Sequence, residues 1–85
     1  MKHAGDKALD EIEPLLIEMR RFSSLTEKKR GIFYRKGQAF LHFHEDAAGL
    51  FADIKLNGDA EYTRLRVSTA AERKAFITAA KKAVA

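Results

Sequence analysis

From Gly31 to Ser68 apolar and polar side chains alternate through most of the chain, GIFYRKGQAFLHFHEDAAGLFADIKLNGDAEYTRLRVS. A period of two sends successive residues to opposite faces of a strand, so this stretch predicts an antiparallel sheet with one buried face. Four strands are expected, over 32–35, 38–44, 50–56 and 61–67. Lys36-Gly37 fits a two-residue hairpin turn with Gly37 at positive φ, and Asn57-Gly58 opens a loop over 57–60. Before the sheet the period changes. Leu9, Ile12, Leu16 and Met19 recur every three or four residues, with Leu15 widening the stripe, which predicts a helix over 10–22. Pro14 is tolerated only in a first turn, where no donor is needed, so regular helix is expected to begin near 11–13. Residues 23–30, SSLTEKKR, read as a polar connection or as a short helical turn capped by Thr26. A closing helix is expected over 70–83, because Thr69 and Glu72 have capping-box spacing and Phe76, Ile77, Ala80 and Val84 share an inner face.

The expected order is α-β-β-β-β-α. This is an α+β two-layer domain, an antiparallel β-meander with both helices packed on one face. The length fits a single domain over 1–85, with residues 1–8 as a disordered leader.

The turn positions set an expected register. Phe33 then faces Phe40 and Ile32 faces Leu41. One face shows Ile32, Tyr34, Ala39, Leu41, Phe43, Leu50, Ala52, Ile54, Leu56, Thr63, Leu65 and Val67, and it is the expected core. The other carries Phe33, Arg35, Phe40, His42, His44, Phe51, Asp53, Lys55, Tyr62, Arg64 and Arg66. Its rows read Phe33-Phe40-Lys55-Tyr62, His42-Asp53-Arg64 and His44-Phe51-Arg66. Three phenylalanines left in water mark a contact surface.

Charge sharpens this reading. The formal net charge is +4, yet residues 20–36 alone hold seven cations and one acid, a net +6, so the remainder nets −2. Arg20, Arg21, Lys28, Lys29, Arg30, Arg35 and Lys36, joined on the sheet by Arg64 and Arg66, form the footprint of an anionic partner, DNA or RNA foremost. The competing interpretation is a solvated surface kept for solubility. The leading expectation is a small non-enzymatic binding domain, with Phe33, Phe40, Phe51 and Tyr62 available to stack on bases. The alternative is homodimerisation through that aromatic face. A third possibility is a metal or hydrolase site on His42, His44 and Asp53. Against it, Arg64 and Arg66 repel a cation, no third histidine or cysteine is near in sequence, and Ser23, Ser24 and Ser68 fall off the face. No catalytic residue, metal or cofactor is therefore assigned. The absence of cysteine excludes disulfides and thiolate sites. No apolar run approaches bilayer length and no h-region opens the chain, so a cytoplasmic protein with no membrane partner is expected.

The stretch Gly31 to Asp46, GIFYRKGQAFLHFHED, resembles a segment of the MmcQ/YjbR-like bacterial proteins, in which a strand leads through a Lys-Gly turn into a second strand and a short acidic loop. The shared pattern is F-x-x-K-G-x-x-F, and the likeness covers residues 15–56. The short chain also resembles small conserved bacterial proteins of unknown function. The resemblance implies an α+β fold of the double-wing type with DNA binding, and it brings no catalytic residue with it. The chain departs from the longer family at Asn57-Gly58, which turns directly into a further strand.

Overall fold

The computed structural model describes residues 2–58 and 61–85. Their elements run β1 (Lys2–His3), α1 (Asp6–Glu11), α2 (Glu13–Arg20), β2 (Leu25–Lys29), β3 (Ile32–Arg35), β4 (Gln38–Asp46), β5 (Gly49–Ile54), β6 (Thr63–Arg66) and α3 (Ala70–Val84). The fold is α+β, with β2 to β6 adjacent in chain order and antiparallel, and β1 paired with β4 beyond the end of β3. No helix among the described residues is long and apolar enough to cross a membrane.

The expected order is short by two strands and one helix. Pro14 accounts for the helix. It lacks an N–H and its ring crowds the carbonyl four residues back, so it is placed at the start of α2. The chain resets at Ile12, with φ −106° and ψ 20°, and its N–H reaches both Ala8 and Leu9 carbonyls. The strand over Leu25–Lys29 replaces the expected polar connection. It escaped notice because only Leu25 of its five residues is buried, and an edge strand with one core contact shows no alternation. A two-residue link, Arg30-Gly31, joins it to β3. Gly31 takes φ +81°, and a Cβ there would lie 2.7 Å from Leu9 Cδ2, so glycine is needed twice over. Residues 2–8, read as a leader, here supply β1 and the first turn of α1.

The Lys36-Gly37 turn is as expected, with φ +54° and +79° and Arg35 opposite Gln38. Beyond it the register departs from expectation. Tyr34 faces Ala39 but Phe33 faces Leu41, so Phe40 is a bulged extra residue. A one-residue slip reverses the faces. Phe33 and Phe40, assigned to the exposed face, are 1% and 4% exposed and belong to the core, while Ile32 and Tyr34 are only half-buried. Arg35 also leaves that face, since its Nη1 donates to the Ala83 carbonyl at the end of α3, 3.2 Å away. The loop expected over 57–60 includes Asp59 and Ala60, which lie outside the described residues.

α3 begins as expected. Glu72 N–H donates to Thr69 Oγ1 at 3.1 Å and Thr69 N–H donates to Glu72 Oε1 at 2.9 Å. Arg73 Nε donates to the Val67 carbonyl at 2.8 Å, tying the helix to the segment leaving β6. The core joins Ile12, Leu16 and Met19 to Phe33, Leu41, Phe43, Ala52, Ile54 and Phe76. The Phe43 and Phe76 rings meet edge to face at 5.8 Å.

Candidate metal centre

Six consecutive pairs between β4 and β5 hold the strict alternation that β3 lacks. His42 therefore faces Asp53 and His44 faces Phe51, and β6 extends these rows to Arg64 and Arg66, as the sequence predicts. On the other flank of β4, β1 sets His3 opposite His44. Two further hydrogen bonds hold it there: Ala4 N–H to the Phe43 carbonyl at 3.0 Å and Gly5 N–H to Glu45 Oε2 at 2.7 Å.

Three imidazoles converge as a result. A ring nitrogen from each of His3, His42 and His44 lies within 4.8 Å of the other two. The ring centroids are 4.7 Å apart for His42–His44, 4.8 Å for His3–His44 and 5.5 Å for His3–His42. His42 Nδ1 and His44 Nε2 lie within hydrogen-bond distance at 2.7 Å, and Asp53 Oδ2 stands 3.3 Å from His44 Nε2. His44 Nδ1 is buried with no hydrogen-bond partner among the described residues. Tyr62 packs its edge on His42 at 4.7 Å, and Lys55 Nζ lies over the Tyr62 ring at 5.1 Å.

The electrostatics favour neutral imidazoles. Burial, and then the proximity of His44, holds the His42 pKa below its usual 6.5. Burial likewise lowers that of His44, with the Asp53 carboxylate opposing. Arg64 donates to Asp53 through Nε and Nη2, both at 2.8 Å, and this fork holds the Asp53 carboxyl below its ordinary 3.8. The guanidinium that argued against a cation here is therefore neutralised locally. Arg66 turns instead to Glu72 and the Ala48 carbonyl. Neutral imidazole is the ligand form for zinc and similar ions, and nitrogens at about 2.0–2.1 Å from a tetrahedral ion stand about 3.3 Å apart. The three nitrogens, within 4.8 Å of one another, would adjust to that spacing around an ion.

Comparison with protein families, with curated proteins and with solved structures finds no match to this chain. The MmcQ/YjbR-like resemblance gains no support from them.

The other expected site residues scatter. Arg20 pairs with Glu13 and Glu27, Arg21 with Glu18, and Arg30 with Asp10 and Glu13. Lys28, Lys29 and Lys36 are exposed, with Lys28 Nζ over the Tyr34 ring at 5.6 Å. The aromatic surface invoked for a dimer reduces to Phe51, half-buried, and Tyr62, 38% exposed. The residue that sequence reasoning missed is His3. Its only signal is its type, because nothing local in MKHAG ties it to a strand 40 residues on.

Proposed function

We propose that the chain is a small non-enzymatic domain that holds one divalent transition-metal ion of the zinc class on His3, His42 and His44. The observation that carries this reading is the convergence of three ring nitrogens within 4.8 Å. Three imidazoles suit zinc and leave a fourth position for water or for Asp53. β1 has only two residues, so an ion shared between His3 and β4 would staple the N-terminal strand to the sheet. The reading takes the helices to lie together on the face away from the histidines, supported by the contact of Phe76 with Phe43. The test is thermal unfolding with and without zinc. A rise in Tm that His42→Ala and His3→Ala each abolish is expected. An equal rise in both variants would end the proposal.

A second reading retains the anionic partner, DNA or RNA. It is favoured by Lys28, Lys29 and Lys36, which have no carboxylate within ion-pair distance among the described residues. On that reading, duplex binding weakens steeply with salt, and charge reversal at Lys28 and Lys29 weakens it on every sequence alike.

A further inference from the structure

The chain carries seven arginines. Six stand beside a carboxylate: Arg20, Arg21, Arg30, Arg64, Arg66 and Arg73. Arg35 alone has none among the described residues. Its Nη1 donates to the Ala83 carbonyl at 3.2 Å and its guanidinium carbon lies 5.8 Å from the centre of the Phe40 ring. Its Nε is buried and has no hydrogen-bond partner among the described residues. A buried N–H on a permanent cation is costly unless an acceptor stands near.

Arg35 opens on a cavity of about 160 Å³ that it lines with Lys36, Gln38, Ala39, Phe40 and Lys55. Among the described residues three cations and one amide line this space, and no carboxylate does. The hairpin tip supplies two of the cations. Lys55 N–H donates to the Phe40 carbonyl at 3.1 Å and brings the third from the segment leaving β5. The volume is below the roughly 300–1,000 Å³ of sites that take drug-sized ligands, so it suits a compact oxyanion. A carboxylate is satisfied by one guanidinium fork, whereas three cations match the charge and multiple oxygens of a phosphate group.

We infer that the cavity at the β3–β4 hairpin tip is a phosphate-binding site, with Arg35, Lys36 and Lys55 contacting the oxygens and Gln38 donating from its amide. None of the three histidines lines it, and it does not depend on a metal there. The phosphate comes either from a free phosphate or phosphomonoester, or from a nucleic-acid backbone.

The test is an amide NMR titration of metal-free, isotopically labelled protein with sodium phosphate at constant ionic strength, followed by a short DNA duplex. Saturable shifts are expected at residues 35–40 and 55. The Lys36→Gln/Lys55→Gln double variant, altered at side chains outside the core, should weaken binding about tenfold or more. Arg35→Lys, which keeps the charge but loses the fork, should weaken it as well. Saturation by phosphate alone assigns a small phosphate ligand, and shifts at these residues only with the duplex assign a backbone. Either outcome supports the site. Shifts with neither probe, or unchanged affinity in the double variant, would overturn it.

Discussion

The two halves of β4 make a useful contrast. From His42 to Asp46 the strand pairs with β5 in unbroken register and meets β1 at His44 and Glu45, and burial favours the neutral form of its two imidazoles. From Gln38 to Leu41 it runs beside β3, carries a bulge at Phe40, and borders Arg35, Lys36 and Lys55. One half gathers lone pairs and the other gathers cations. The difference follows from one inserted residue, which leaves alternation intact on the β5 side and turns Phe33 and Phe40 inward on the β3 side. Chemistry on a sheet face is thus set pair by pair, and it cannot be extended across a bulge.

The largest expected effect tests the bulge. Phe33→Ala should cost about 3–5 kcal/mol, read by chemical denaturation, because a buried ring is removed from a packed core. A cost near zero would return Phe33 to the water-facing side. Next comes the ion. Zinc at one hundred times its dissociation constant should add about 2.7 kcal/mol to the wild type, and nothing comparable to His42→Ala, measured by Tm. Asp53→Asn should cost about 1–3 kcal/mol, since it removes the charge that receives the Arg64 fork at a 6% exposed position. Its effect on zinc binding separates the Asp53 carboxylate as fourth ligand from a merely supporting group.

The pH dependence sharpens the same half of β4. His42 and His44 have lowered pKa values, so well above 6.5 both are neutral whether folded or not. As pH falls through 6.5 the unfolded chain takes up protons first, and metal-free stability declines. Asp53 has a depressed pKa too, so its contribution is present above 3.8 and lost as pH falls further. Denaturation midpoints across pH 7 to 3 should therefore drop in two stages, the upper one missing from the His42→Ala/His44→Ala variant. Smallest of all, Lys28→Glu should change stability by less than about 0.5 kcal/mol, while testing the nucleic-acid reading by salt-dependent binding.

Much of this was legible in the sequence. The His42-Asp53-Arg64 row, the Lys36-Gly37 turn and the Thr69–Glu72 capping box follow from alternation and local spacing, which single residues report directly. The bulge at Phe40 was not, because two apolar neighbours, Phe40 and Leu41, satisfy either register. β2 was hidden by its polarity, and the pairing of its neighbours Arg20 and Arg30 with Glu13 depends on how α2 lies beside it. His3 was hidden by distance. A two-residue strand carries no period, and its place beside His44 is fixed by long-range backbone bonds from Ala4 and Gly5.

The most direct test is a zinc titration followed through the imidazole nitrogens by NMR. One equivalent should move the ring signals of His3, His42 and His44 together and slow exchange of the Ala4 and Gly5 amides as β1 is fixed to β4. Changes confined to His42 and His44, or no saturation at one equivalent, would contradict a three-histidine centre.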